Sequence, residues 1–557
     1  MSETQAAGFS GADLIAQGLA AYGVEHVFAI VSIHNMPILD AINRLGRTAI
    51  IDVRHEQAGT HAADGYARAS GKVGVMIAST GPGTTNTVTG LYEAKYASSP
   101  VLVITGQAET GFYGKGLSYV HEAENQVAML RTVARCVESP RHVAELGASF
   151  IRVIRDMRSG RPAPGALEIP IDLQYALCPQ MGFPDLDLPV FAPEAAALQR
   201  SVEKIASARR RVIVAGGGVI AAGASAELTR LAEKLDAPVL TTVDGRGSIP
   251  EDHPLCLGNF YGSAGMQQTI RDADLTLAIG TKFAVGVDGT GARQTPPGEL
   301  LQVDIDPAII GRTHRATGLV ADARLALQGI LDGLTDASGN DAQFNQAVWN
   351  GRDGLRRAMR KRLGPDFERI MDLLRERLPR DGLWVRDSTI AAYNFGNQLF
   401  PVYEPRTSIN PSSGAIGPGL PFALGAVVAT GKRGVLVNGD GGFLFHATEL
   451  ATAAQYRLPL VVCVFNDGGY GVLRWLQDTR FGRINETDLG TMDFATMAQS
   501  MGVPGVRVGD LDAFSTALDQ GMSTDGPFLI DVDMTRFAPM EISIMPKQAK
   551  GPASGKR

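Results

Sequence analysis

The chain is expected to be an α/β protein made of three doubly wound parallel-sheet domains. Helical and strand-like apolar patterns alternate almost throughout, which favours open parallel sheets with helices on both faces. A length of 557 residues suits about three or four domains at roughly 150 residues each. The two ends of the chain repeat one layout around a different middle.

Taken in order, Ser10 can cap a helix bearing Leu14, Ile15 and Leu19, Gly23 can stop it, and Val24 to Ile30 reads as a buried strand. The rhythm continues through a first domain at 8–178. A Pro-rich stretch, PQMGFPDLDLPVFAP at 179–193, has no apolar periodicity and reads as a linker. RRRVIVAGGGVIAAGA then gives a strand, a Gly turn and a helix, and with the strands ADLTLAIG and LLQVDID it outlines a second domain at 194–335. A basic helix, GRDGLRRAMRKRLG, whose charges read as a solvated face, leads into a third domain at 365–545. The tail KQAKGPASGKR is expected to be mobile. The repeat pairs TGPGTTNTVTGLYEAKYASSPVLVITGQ with GDGGFLFHATELATAAQYRLPLVVCVFNDG, Pro459 taking the place of Pro100.

Composition narrows the function classes. Hydrophobic residues at 45% and charged residues at 20% belong to a globular chain able to bury large cores. The net charge of -6 gives no broad footprint for nucleic acid or an anionic membrane, so neither is expected as a partner. Cys136, Cys178, Cys256 and Cys463 lie far apart without a CxxC pair, which argues against a disulfide framework or zinc ribbon and for a reducing compartment. The start MSETQAAGFSG lacks a secretory pattern, and no apolar run approaches the ~20 residues of a membrane span. A cytoplasmic location is expected.

The chemistry concentrates at two glycine-rich clusters. Gly439, Asp440, Gly441 and Gly442 follow the apolar strand RGVLVN and precede a helix expected to contain His446 to Gln455. Asp440 therefore stands at the carboxyl end of a parallel strand, where such sheets bind ligands. The next strand, LPLVVCVF, ends in Asn466, Asp467, Gly468 and Gly469. A carboxylate, an amide oxygen and a freed backbone carbonyl are hard donors suited to Mg²⁺ beside a diphosphate. Either cluster alone also fits ordinary turn chemistry.

Together they resemble a known pattern. A GDG run with Asn466 placed 26 residues after Asp440 resembles the thiamine diphosphate (ThDP) motif. The resemblance covers nearly the whole chain, in the order pyrimidine-binding, central and diphosphate-binding domain. It points to the acetolactate synthase, benzaldehyde lyase and 2-hydroxyacyl-CoA lyase branch of the decarboxylase superfamily. It implies that Asp440, Asn466 and the Gly468 carbonyl bind Mg²⁺, with Gly439, Gly441, Gly442 and Tyr470 beside the cofactor. Asp467 stands where the family often has Asn. Glu56, in RHEQAGTHAADGYAR, matches the Glu that hydrogen-bonds the aminopyrimidine and promotes its imino tautomer. Helix-dipole complementarity alone also accounts for a Glu in a first turn, and Gly59 rules out an HExxH zinc site. Ile416 matches the apolar residue wedged under the cofactor, and STGPGTTN, with Gly81 and Asn86, matches a loop near the cofactor and the subunit contact.

Substrate choice rests on other residues. Val31-Ser32 replaces the Pro-Gly turn of acetolactate synthases, and His34 falls where benzaldehyde lyase and a cyclic dione hydrolase carry an active-site His. His121 falls where relatives carry Gln. Both are assigned catalytic roles here by resemblance, against the plain alternative of structural histidines. GGG at 216–218 and DIDP at 304–307 resemble FAD-binding relatives, yet GTKFAVGVDG at 280–289 lacks their FAD-contact run, so FAD is admitted without being favoured. The implied activity is a ThDP- and Mg²⁺-dependent carbon-carbon ligase or lyase on 2-oxo acids or 2-hydroxy ketones, acetolactate synthase-like. Its alternatives are benzaldehyde lyase-like or 2-hydroxyacyl-CoA lyase-like cleavage, cyclic dione hydrolysis, or a non-catalytic nucleotide-binding regulatory protein. The family shares its sites between subunits, which implies a homodimer or homotetramer.

Overall fold

A computed structural model describes residues 8–283, 295–335, 338–490 and 492–541. The tail KQAKGPASGKR and positions 284–289 of the glycine-rich run in the middle domain lie outside the described residues. By its contacts the chain forms two units, one of Met1–Pro189, Pro411–Gly431 and His446–Leu458, the other of Val190–Asn410, Lys432–Phe445 and Pro459–Arg557.

The first unit holds one six-stranded sheet built from β1 (His26–Ala29), β2 (Ala49–Asp52), β3 (Gly74–Ala78), β4 (Val101–Gln107), β5 (Cys136–Glu138) and β6 (Gly165–Pro170), in the order 2-1-3-4-6-5. Every pairing is parallel. Successive residues serve opposite faces: Val75, Ile77, Leu102 and Ile104 enter one apolar core, Met76, Ala78, Val101 and Val103 the other. Burial on both faces is why these strands read as continuous apolar runs.

The second unit holds two such sheets. Its first contains β7 (Arg211–Ala215), β8 (Val239–Thr241), β9 (Cys256–Gly258), β10 (Leu275–Ile279), β11 (Glu299–Asp304) and β12 (Thr317–Val320), in the order 12-11-10-7-8-9. Counted from its own first strand and read from the other edge, this is the 3-2-1-4-5-6 order of doubly wound sheets. Its second contains β13 (Leu383–Arg386), β14 (Ser408–Ile409), β15 (Gly434–Gly439), β16 (Leu460–Asn466), β17 (Gly505–Val508) and β18 (Phe528–Asp533), in the order 14-13-15-16-18-17. This is the order of the first unit's sheet strand for strand, which gives the sequence repeat a topological counterpart.

Residues 179–193 carry neither helix nor strand. The basic helix is one part of a longer run, Ala342–Arg377, broken at Gly364 (φ 74°) ahead of Pro365. Proline denies the helix an N–H and clashes with the preceding turn, so the break falls there. The helix expected from His446 starts later: a short helix, Asp440–Phe443, is followed by turns, and the next helix is Glu449–Gln455. No helix among the described residues is long and apolar enough to cross a membrane.

In the first unit the helix Gly419–Thr430 lies against Glu56–Ser70 at backbone contact. A Cβ on Gly425 would sit 1.8 Å from the Ala62 carbonyl oxygen, and one on Gly65 would sit 2.3 Å from that of Phe422. Arg68 adds a buried ion pair within this unit, bonding Asp64 at 2.6 Å and Glu93 at 2.9 Å. Glu93 also accepts the backbone N–H of Ser412 and of Ser413, at 2.6 and 3.0 Å.

Candidate functional site

Four strands of the first unit deliver residues to one sheet edge. His34 follows β1, Glu56 follows β2, the loop 79–86 follows β3, and His121 follows β4. These strands are neighbours and parallel, so all four segments leave from carboxyl ends, where open α/β sheets bind ligands. Glu56 is the first residue of its helix, with His55 as the N-cap. Its Oε2 accepts a hydrogen bond from Asn86 Nδ2 at 2.9 Å, and a Cβ on Gly83 would lie 3.3 Å from its Oε1. Two residues singled out separately in the sequence therefore meet.

The same loop is pinned to the His121 segment. Gly81 has φ 60°, and a Cβ there would lie 2.8 Å from the His121 carbonyl oxygen. Thr80 Oγ1 donates to that carbonyl at 3.1 Å, while Gly81 N–H donates to Gln126 Oε1 at 3.0 Å. Beneath them Glu168 is fully buried, accepting from Gln126 and Gln107 at 2.9 and 3.1 Å. These three polar residues were not singled out from the sequence. A Glu inside the apolar strand GALEIP was the signal that could have found them.

His121 is exposed, with φ 64°. His34 is 4% exposed, its ring centroid 5.5 Å from that of His121, and its buried Nδ1 has no hydrogen-bond partner. Burial, then the neighbouring imidazole, holds His34 below the ordinary histidine range, which favours the neutral ring. Ile416 is 37% exposed, just ahead of Gly417, whose carbonyl is bonded to His446 Nδ1 at 2.9 Å.

The second unit assembles the oxygen donors. β15 ends at Gly439 and pairs in parallel with β16, Gly439 opposite Phe465, so Asp440 and Asn466 leave the same edge. The glycines of GDGG are required by contact: a Cβ on Gly439 would lie 2.7 Å from Thr389 Oγ1, and one on Gly441 would lie 2.6 Å from the Tyr470 ring. Asp440 is 4% exposed, and the nearby backbone N–H groups of Gly441 and Gly469 favour its charged form. Burial, reinforced by Asp467, pushes its pKa up to about 7. Burial likewise raises Asp467 to about 6, opposed by the Arg474 guanidinium.

Asn466 turns its amide nitrogen toward the Met492 carbonyl and Asp531 Oδ1, both at 3.1 Å, and its Oδ1 accepts from Gly468 N–H at 3.3 Å. The Gly468 carbonyl accepts from Leu489 N–H at 2.9 Å, which leaves its second lone pair. No group of three His, Cys, Asp or Glu residues among those described could hold a metal. A set of one carboxylate, one amide oxygen and one carbonyl is instead of the hard-oxygen type that Mg²⁺ shares with phosphate and water. Asp440 fits that role, since a dication favours the ionised form that burial disfavours. Asn438, fully buried just before Gly439 with both amide atoms unpartnered, was missed in the sequence.

In the middle domain a Cβ on Gly216 would lie 2.2 Å from the Gly280 carbonyl oxygen and one on Gly218 would lie 2.6 Å from the Gly280 Cα. Close chain packing thus accounts for two of the three glycines at 216–218.

Comparison with known proteins agrees with this layout. Models of the thiamine pyrophosphate enzyme N-terminal TPP binding domain, central domain and C-terminal TPP binding domain match residues 9–129, 198–330 and 390–532. A probable acetolactate synthase large subunit of Methanocaldococcus jannaschii is 33% identical over 94% of this chain and 91% of its own length. A probable 2-ketoarginine decarboxylase of Pseudomonas aeruginosa is 35% identical over 92% of each. An acetolactate synthase of Arthrospira platensis is 30% identical over 95% of this chain and 94% of its own.

Proposed function

Because this chain belongs to the thiamine pyrophosphate enzymes, on the acetolactate synthase branch, we propose that it is a ThDP- and Mg²⁺-dependent carboligase that takes 2-oxo acids. The observation that carries the reading is the pairing of Glu56 with Asn86 at the carboxyl edge of the first sheet. The bond that Asn86 donates to the Glu56 carboxyl group supports a role for Glu56 in exchanging a proton with a ring nitrogen of the cofactor. The oxygens of Asp440, Asn466 and Gly468 would hold a divalent cation, which would supply charge neutralisation for the cofactor's diphosphate.

Bound ThDP would supply a nucleophilic carbon and an electron sink. The protein does the rest. Glu56 holds a proton for the aminopyrimidine, while Asp440, Asn466 and the Gly468 carbonyl hold the metal. Gly439, Gly441 and Gly442 let the backbone approach phosphate, with Tyr470 packed on Gly441. Gly81 and Asn86 shape the loop beside Glu56, and Ile416 offers an apolar surface for the cofactor. His34 and His121 move the proton of the substrate hydroxyl, for which an imidazole is suited near neutral pH. FAD is not part of the reading. Domains at 8–178, 194–335 and 365–545, a cytoplasmic enzyme and a homodimer or homotetramer complete it.

A second reading, decarboxylation of a 2-oxo acid without ligation, is favoured by the likeness to the probable 2-ketoarginine decarboxylase. Purified protein with ThDP and Mg²⁺ should be assayed against 2-oxo acids, 2-hydroxy ketones and 2-hydroxyacyl-CoAs. Ligation of two 2-oxo acids supports the first reading. Release of carbon dioxide and aldehyde alone supports the second. Turnover confined to the other two substrate groups moves the assignment to lyase or hydrolase, and none anywhere to a non-catalytic binding protein.

A further inference from the structure

Asn466 ends β16, and Asp531 lies on the neighbouring strand β18, opposite Val464 and so diagonal to Asn466 on the same face of the sheet. Asp531 is fully buried. Its Oδ1 takes one amide hydrogen of Asn466 and the Met492 carbonyl takes the other, both at 3.1 Å. Its Oδ2 accepts Phe494 N–H at 3.2 Å and stands 3.7 Å from Arg507 Nη1. Asp531 is thus held from behind and directed at one target.

A carboxamide has two donor hydrogens on one side and an acceptor oxygen on the other. Here both hydrogens meet groups that only accept. The flipped amide would set its oxygen against a carboxylate and a carbonyl, leaving buried acceptors unsatisfied. The acceptors on that side settle which atom is nitrogen. They turn Oδ1 toward Gly468 and the edge occupied by Asp440.

We propose that Asp531 is a positioning residue of the cation site, which acts by locking the Asn466 amide so that Oδ1 faces the metal. The proposal rests on the reading of Asn466 as a metal ligand. Groups behind a ligand commonly control affinity by fixing its orientation.

The test is Mn²⁺ binding, read by electron paramagnetic resonance on the full-length protein with saturating ThDP. Asp531→Leu, checked for folding by circular dichroism, should weaken Mn²⁺ by about 10- to 100-fold. Asn466→Asp tests the same lock where Asp531→Leu does not fold. It adds an anionic ligand oxygen but places a carboxylate against Asp531, so Mn²⁺ should bind more weakly than to the parent. The double variant Asn466→Asp/Asp531→Asn restores a donor facing an acceptor and should recover at least about tenfold, a coupling that loss of packing does not produce. Folded Asp531→Leu with affinity within about threefold of the parent, or a double variant no better than Asn466→Asp, overturns the positioning role. Asn466→Ala separates the two levels. If it binds Mn²⁺ like the parent, the metal reading itself fails. If it binds weakly while Asp531→Leu does not, only the lock fails.

Discussion

Arg474 Nη1 lies 3.3 Å from Asp467 Oδ2, and both side chains are buried. The same guanidinium reaches Asp488 at 3.0 Å. The pair explains how this chain carries a buried carboxylate at position 467, beside Asp440. An added buried charge beside Asp440 is tolerated because a cation is buried with it, whereas an unpaired one is strongly disfavoured. Position 467 can therefore vary without altering the three proposed metal donors.

Mg²⁺ retention is expected to depend on pH through these carboxylates. Asp440 at about 7 and Asp467 at about 6 both lie above their ordinary value of 3.8 in the metal-free protein. Protons compete with the cation, so calorimetric Mg²⁺ affinity with ThDP present should fall as pH drops from 8 to 6. Stability of the metal-free protein runs the other way. A carboxyl raised on folding contributes stability below its unfolded pKa and loses it as pH rises through the folded value. Asp440→Asn should raise the Tm of the metal-free protein at pH 8, by about 2–4 °C for each kcal/mol relieved, and change it little at pH 4. A lowered Tm at pH 8 contradicts the assignment.

Glu56→Gln should fold, hold ThDP and lose nearly all turnover. Size and the bond to Asn86 survive the change, since the Gln oxygen still accepts, but the exchangeable carboxyl proton does not. Activity within about tenfold of the parent, a cost of ~1.4 kcal/mol, removes Glu56 from proton transfer.

His34→Ala is expected to slow carbon-carbon ligation or cleavage by about 10²- to 10⁴-fold, the usual cost of removing a positioned acid-base group. The step that releases carbon dioxide, read in a single turnover, should suffer less, because breaking that bond itself moves no proton on the substrate hydroxyl. Rates of both reactions in one preparation provide the comparison. Equal losses reduce His34 to a part of the pocket wall.

Assembly is tested by sedimentation at working dilution. Twofold homo-oligomers are the usual solution when a site is shared between copies. Active enzyme sedimenting as a dimer or tetramer is expected, and an active monomer contradicts the shared site.

The sequence by itself determined the α/β class, the placing of Asp440 and Asn466 at strand ends, and Glu56 in a first turn. Each depends on spacing of a few residues, which apolar periodicity and glycine report directly. It did not show where the helix after GDGG begins, because turn and helix compete over so short a stretch. Nor did it find Glu168, Arg474 or Asp531, polar residues whose partners lie on other elements, or Asn438, which is buried without one. The meeting of His34 with His121, of Asn86 with Glu56, and of Asn466 with Asp531 was decided only by tertiary structure. Strand order fixes which distant ends become neighbours, and burial then turns each such encounter into a hydrogen bond or a shifted pKa.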